Sequence, residues 1–209
     1  MKYFYFVRHG ESTGNAGSIY QGPTSRLSEL GRKQANIIAK RCTKLPIESI
    51  ISSSLPRAEE TVQIISEKIK LPFEMSDLLV EIKRPSQQIG LERDSVESKE
   101  IDEEIIRNFS IHDYHYSDEE NFEDLNERAK KVLEYLENQK SNHILVVTHG
   151  LFLRIIIGKA IFGKNFTAHI CQDVLNNMRT NNAGLSLMEF DETNHQWLLR
   201  AYNDFAHLG

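Results

Sequence analysis

The sequence predicts an α/β fold: three α/β/α layers around a central, mostly parallel sheet, with an inserted cap region. Three observations carry this. Segments with strand character alternate with segments of helical apolar spacing through most of the chain. The apolar runs at residues 2–7 (KYFYFV) and 143–150 (HILVVTHG) do not alternate with polar residues, as expected of strands buried on both faces. One stretch, 81–120, breaks the alternation. It is charged, carries Pro85 and Gly90, and ends in IHDYHYSDEEN, so it reads as an excursion over the surface.

The elements follow in order. After the strand at 2–7, residues 10–26 are rich in Gly, Ser, Thr and Asn and read as a loop. Residues 28–43 predict a helix with Ser28 as N-cap and Leu30, Ile37, Ile38 and Cys42 on one side. SIIS at 49–52 predicts a short strand, and Ser54 and Pro56 then open a second helix. Pro suits a helix start, Glu59 and Glu60 suit its electropositive first turn, and Ala58, Val62, Ile65 and Ile69 form its stripe. Residues 73–80 predict another strand, and the excursion holds a helix near 98–109. Phe122, Leu125, Ala129, Val132, Leu133 and Leu136 mark a helix over 121–139. A buried helix follows at 151–162, then a loop around 163–182 that, with the excursion, roofs a pocket. Two late strands, 183–191 and 196–204, join as a hairpin at Glu192–His195.

The length of 209 residues suits one domain spanning 1–209 with a sizeable core. Hydrophobic residues at 40% and charged residues at 26% describe an ordinary soluble globular chain, and a net charge of -5 gives no reason to expect nucleic acid. Cys42 and Cys171 form no CxxC pair, so neither a disulfide framework nor a zinc ribbon is expected. The segment closest to a membrane span, LFLRIIIGKAIF at 151–162, is too short and carries Arg154 and Lys159. The N-terminal apolar run is likewise too short for a signal peptide, and the expected location is cytoplasmic.

Two strands each end in His-Gly: Val7-Arg8-His9-Gly10 and Val147-Thr148-His149-Gly150. In a parallel sheet both imidazoles fall on the carboxyl-end rim, where ligands bind. Gly after each His allows a sharp turn and leaves an amide open. Two histidines with arginines around one pocket suit a phosphoryl group, because guanidinium offers a planar fork and neutral imidazole is a nucleophile. Metal binding by the His pair would need a third ligand, and His112 and His115 lie in the excursion. No GxxxxGK[ST] loop is present.

RHGESTGN at 8–15 resembles the signature of the histidine phosphatase superfamily, the phosphoglycerate-mutase-like proteins. YQGPTSRLSELGRKQA at 20–35, SSSLPRAEET at 52–61, LLVEI at 78–82, VVTHG at 146–150 and NDFAHL at 203–208 resemble further family blocks in the family's order. The resemblance implies that His9 is the nucleophile and forms a phosphohistidine. Arg8 and Arg57 would clamp the phosphoryl oxygens. A cation at the helix start opposes the dipole, so a bound anion at Arg57 offers compensation. His149 would donate to an equatorial oxygen. Glu81 would protonate the leaving group and then deprotonate the attacking water.

Asn15, Gln21, Gly22 and the Gly150 amide would line the phosphate or its approach. Arg84 and Lys83 would meet a second anionic group of the substrate, and Glu11 would be a supporting carboxylate. No metal or other cofactor is implied. The partner is a small phosphorylated substrate, with no nucleic acid and no membrane, and self-association as a homo-oligomer is left open.

The mutase branch's Asn-Glu-Arg-His-Tyr-Gly run at the acid is replaced here by Val80-Glu81-Ile82, which favours a phosphatase. The alternatives are a phosphoglycerate mutase and a phosphate-binding regulatory protein without turnover.

Overall fold

The computed structural model describes residues 1–209. Its centre is a six-stranded sheet in the order β3-β2-β4-β1-β5-β6. The strands are β1 (Lys2–Arg8), β2 (Ser49–Ser53), β3 (Phe73–Ser76), β4 (His143–Thr148), β5 (Leu185–Asp191) and β6 (Gln196–Asp204). β1 to β4 run parallel to one another, whereas β5 pairs antiparallel with both β1 and β6. β1 and β4 occupy the two central positions, which explains why their sequences are apolar on both faces.

Alternate residues of these two strands feed opposite layers. Phe4, Phe6, Ile144 and Val146 pack with α5 (Phe122–Glu137), α6 (Gly150–Phe162) and α7 (Ala168–Asn177). Tyr5, Val7, Leu145 and Val147 pack with α2 (Glu29–Cys42) and α3 (Pro56–Ile69). Burying a large aliphatic or aromatic side chain contributes roughly 1.5–3 kcal/mol, and both layers are held by such burial on the strands and on the helices that cover them. Ser28 caps α2 through the Gly31 amide, as its position predicts. Asn121 and Asp124 form a capping box at the start of α5.

Several expectations change. Residues 163–182 are not simply a loop, because Thr167 caps α7 there. One turn, α1 (Thr13–Ala16), interrupts the loop after β1 and is closed by a capping box of Ser12 and Asn15. The strand expected over 73–80 stops at Ser76, since a 3-10 turn at Asp77–Leu79 buries Leu79 against the core. Ser54 does not cap α3; its hydroxyl donates to Asp77, and the N-cap position is Leu55. Glu60 lies beyond the first turn and pairs with Arg26 and Arg32. The excursion carries α4 (Val96–Asn108). No helix is long and apolar enough to cross a membrane.

Candidate active site

Parallel pairing of β1 with β4 brings Arg8 opposite Thr148, so the next residues, His9 and His149, emerge side by side. Their ring centroids are 4.9 Å apart with planes inclined at 56°. Both residues are buried. His9 Nδ1 lies 2.6 Å from the carbonyl oxygen of Gly10. A carbonyl only accepts, so Nδ1 carries the proton and Nε2 keeps a free lone pair. Burial, reinforced by Arg8 and Arg57, holds the His9 imidazole well below its ordinary value and therefore neutral.

His149 is also held neutral, first by burial and then by His9, Arg57 and Arg8. Its Nε2 lies 2.7 Å from Ser53 Oγ, which already accepts the Leu55 amide at 3.2 Å. The Ser53 hydroxyl has no other acceptor, so it donates to Nε2. The ring proton then sits on Nδ1, which is buried without a partner. One imidazole thus offers a lone pair and its neighbour a free N–H.

Two guanidiniums accompany them. Arg57, the second residue of α3, is only 2% exposed; its Nη1 reaches the Gly22 carbonyl at 3.5 Å and its Nε has no partner. Arg8 donates Nη1 to the Thr180 carbonyl, and its Nε is likewise unpartnered. Burial lowers both, Arg8 to about 10, with Glu81 partly offsetting the effect. One buried and one half-buried guanidinium, each with a buried, unspent Nε–H, describe a cradle for an anion.

Glu81 sits at the N-terminus of α6. Its Oε1 accepts the amides of Phe152 (2.9 Å) and Ile82 (3.0 Å), and its Oε2 accepts Leu151 (3.2 Å). His149 occupies the N-cap position and gives α6 no side-chain cap, so Glu81 performs that task from another segment. A cavity of about 440 Å³ has Gln21, Gly22, Arg57, Glu81 and Arg84 in its wall, while the two imidazoles are not part of that wall. A larger open groove of about 560 Å³ between α5, α6 and β6 contains none of these residues.

The other expected residues are placed as follows. Asn15 Oδ1 accepts the Ser12 amide and the Asn182 side chain, each at 3.3 Å. Gln21 Oε1 accepts the Ser12 hydroxyl at 2.5 Å. Arg84 donates to Asp102 at 2.8 Å and lies 4.9 Å above the Tyr20 ring. Lys83 pairs with Asp118 at 3.2 Å. Glu11 accepts the Ser28 hydroxyl at 2.6 Å, which fixes the start of α2. Tyr114 donates to Glu104 and His115 meets Asp124, so neither lines the cavity.

The expected role of glycine after each His is revised. Neither Gly10 nor Gly150 has positive φ. A Cβ at Gly10 would lie 2.4 Å from the Gly31 carbonyl oxygen, so close approach of α2 forbids a side chain there. The Gly10 amide is not open either, because it donates to Thr61 Oγ1 at 3.1 Å. At α6 the Leu151 and Phe152 amides go to Glu81 and the Leu153 amide to His149, so none of these three uses up the Gly150 amide's place at the first turn.

Sequence reasoning assigned no role to Ser53, Thr180, Asn182, Arg93 or Arg154. Ser53 lies inside SSSLPRAEET, where a hydroxyl at the end of a strand is a usable signal. Thr180 and Asn182 arrive because β5 is antiparallel to β1, which returns the chain to the same rim; Asn182 donates to the His9 carbonyl at 3.0 Å. Arg154, buried in α6, donates to the carbonyls of Gly150, Leu175 and Met178 and so ties the end of α7 to the site.

Comparison with known proteins gives a consistent picture. The family model described as "Histidine phosphatase superfamily (branch 1)" matches residues 4–204. Curated relatives named "Probable phosphoglycerate mutase GpmB" include one from Yersinia pestis, 29% identical over 98% of this chain and 94% of its own length. Another, from Shigella dysenteriae, is 28% identical over the same shares. Among solved structures, YhfR of Bacillus stearothermophilus superposes with a TM-score of 0.81 at 23% identity and full coverage of both chains (100% each). The mycobacterial glucosyl-3-phosphoglycerate phosphatase bound to VO3 gives 0.78 at 22% identity, covering 98% of this chain and 100% of its own. With the match running through nearly every element from β1 to β6, the chain belongs to the histidine phosphatase superfamily, branch 1.

Proposed function

We propose that the chain is a phosphomonoester hydrolase acting on a small phosphorylated metabolite through a phosphohistidine on His9. The observation that carries this reading is the complementary pair of imidazoles between unspent guanidinium N–H groups. In the first step His9 Nε2 attacks phosphorus as the bond to the leaving oxygen breaks, and Glu81 gives that oxygen its proton. The Gly10 carbonyl, at 2.6 Å, stabilises the positive charge that develops on the ring. Arg8, Arg57, the His149 Nδ1–H and the Gly150 amide hold the non-bridging oxygens, whose charge rises in the transition state. In the second step water attacks phosphorus, Glu81 takes its proton, and the lone pair returns to His9. Charge that a metal would otherwise neutralise is met by the two arginines, so the proposed reaction needs none.

The test is phosphate release from p-nitrophenyl phosphate in the presence of a chelator. Wild-type turnover, loss in His9→Ala and an acid-labile phosphoprotein in Glu81→Gln support the reading. Absence of release from any phosphomonoester between about pH 5 and 8 overturns it. The names of the curated relatives favour a second reading, a phosphoglycerate mutase. That reading predicts isomer interconversion that depends on a phosphorylated donor and outpaces phosphate release.

A further inference from the structure

The block NDFAHL at 203–208 puts no residue in the cavity wall, yet two of its side chains end on the turn at 181–184 that leads into β5. The Asn203 carboxamide pairs with Asn181 twice: its Oδ1 accepts the Asn181 amide at 2.7 Å, and its Nδ2 donates to Asn181 Oδ1 at 2.8 Å. His207 Nε2 lies 3.0 Å from the Ala183 carbonyl. Its Nδ1 lies 2.9 Å from Arg41 Nη1. A guanidinium only donates, so Nδ1 accepts and Nε2 carries the proton given to Ala183. Arg41 also donates to Asp204, whose carboxylate accepts the Ala206 amide at 3.1 Å. Leu208 packs against the layer that includes Ala183 and Leu185.

The turn needs such support. Ala183 is buried with a φ of 56°, a left-handed conformation that a residue with a Cβ seldom adopts and that persists only where its surroundings enforce it. The turn in turn holds the backbone of the candidate nucleophile. The Ala183 amide donates to the carbonyls of Arg8 (3.0 Å) and His9 (3.3 Å), and the Gly184 carbonyl accepts the Arg8 amide at 3.2 Å. The Asn182 side chain donates to the His9 carbonyl at 3.0 Å, and the Thr180 carbonyl accepts Arg8 Nη1. On the other side β4 fixes the His9 amide through the Thr148 carbonyl, also at 3.0 Å.

Resting on the phosphohistidine reading, we propose that His207 and Asn203 are positioning residues: they lock the 181–184 turn in its left-handed conformation, and the turn holds the His9 backbone and the Arg8 guanidinium in register with the phosphoryl group. Neither side chain lines the cavity, so both act through the turn. Without them the turn relaxes, and His9 keeps its chemistry but leaves its alignment. A displacement of about 1 Å at a reacting group is enough to slow a reaction about a hundredfold.

Two substitutions at 207 separate this role from packing. His207→Phe keeps a ring and removes the N–H to Ala183, whereas His207→Gln loses the ring and keeps an N–H at similar reach. With p-nitrophenyl phosphate, kcat of His207→Phe should fall about ten- to a hundredfold while KM changes less than about threefold, and His207→Gln should recover most of that loss. Anion binding gives a readout apart from turnover. Orthovanadate takes the nucleophile as a fifth ligand and so reports its alignment, whereas inorganic phosphate does not. His207→Phe should weaken orthovanadate about tenfold or more and phosphate less than about threefold. Asn203→Asp keeps the acceptor for the Asn181 amide but loses the donor to Asn181 Oδ1. It should show the same pattern, and it decides the matter if His207→Phe does not fold. Wild-type behaviour of His207→Phe, equal losses in His207→Phe and His207→Gln, or parallel weakening of the two anions overturns the proposal. Failure of both His207→Phe and Asn203→Asp to fold overturns it too, because the block is then a structural clamp alone. A wild-type chain that binds orthovanadate with this dependence but releases no phosphate defeats only the hydrolase reading, and one that binds neither anion defeats both.

Discussion

Replacing Arg57 with Met should make the unliganded protein more stable while destroying its activity. The guanidinium is 2% exposed, its Nε has no partner, and its one side-chain bond, to the Gly22 carbonyl, is 3.5 Å long. Its proton affinity is lowered by burial, so at neutral pH, below both its folded and unfolded values, the charge opposes folding. Exchanging a poorly paired buried ion for an apolar side chain of similar volume gains about 1–4 kcal/mol. Arg57 is the second residue of α3, where a cation opposes the helix dipole, and removing it adds about 0.3–1 kcal/mol. Glu81 offsets part of this, because it attracts Arg57 in the native protein.

The expected balance is a gain of about 1–2 kcal/mol, and at about 2–4 °C per kcal/mol the melting temperature rises by roughly 2–8 °C. The kcat/KM for p-nitrophenyl phosphate should fall about a thousandfold, the scale for removing a donor to transition-state charge. Inorganic phosphate at about 100 times its Kd should stabilise the wild type by roughly 2.7 kcal/mol and the variant far less. Thermal and urea unfolding, each with and without phosphate, supply the readouts. An unliganded variant that melts more than about 4 °C below wild type would refute the reasoning, because Arg57 would then be a structural ion.

Three further predictions follow from the same geometry. Ser53→Ala removes the hydroxyl that sets the His149 tautomer, so kcat should drop about ten- to a hundredfold with little change in KM, and stability by about 1–3 kcal/mol for the buried atoms left unpaired; unchanged kcat would show that Nδ1–H is not used. Glu81→Ala loses both the proton donor and the cap of α6, whereas Glu81→Gln keeps an acceptor there. Both should slow alkyl phosphates far more than p-nitrophenyl phosphate, whose leaving group needs no proton, and only Glu81→Ala should lose about 1 kcal/mol of stability. His9 and His149 are held well below 6.5 in the native protein, so the unfolded chain binds more protons as the medium acidifies. Stability should therefore fall as pH drops from 7 through 6.5 toward 5, and their imidazole NMR signals should show no titration in that window; a midpoint near 6.5 for either ring contradicts the burial argument.

Much of the fold can be read in the sequence because its signals are local. β1 and β4 are apolar on both faces, α2, α3 and α5 carry long apolar stripes, α2 and α5 have recognisable caps, and Pro56 marks the start of α3. α7 escapes because it has only ten residues, and the spacing of Ile170, Cys171, Val174 and Leu175 is too short a pattern to separate from a loop. The strand expected over 73–80 ends early because Leu79 leaves the edge of the sheet to enter the core, a choice made by packing. Of the candidate site, His9, Arg57, Glu81 and His149 stand out as motifs, and the structure gathers them at one rim. Arg84 is a different case: its charge is visible in the sequence, but its commitment to Asp102 is not.

By itself the sequence determined the class of fold, the strands whose ends meet at the rim, and the residue types needed to hold a phosphoryl group. Each of these depends on residue identity and short-range periodicity. The tertiary structure decided which nitrogen of each imidazole is free, which arginines are unpaired, and which acid caps α6. Those outcomes depend on partners such as Gly10, Ser53, Asp102 and Phe152, and for all but Gly10 they lie 18 or more residues away along the chain. A side chain's chemistry is written in its type, but its tautomer, charge pairing and free hydrogen bonds are set by the neighbours that folding gives it.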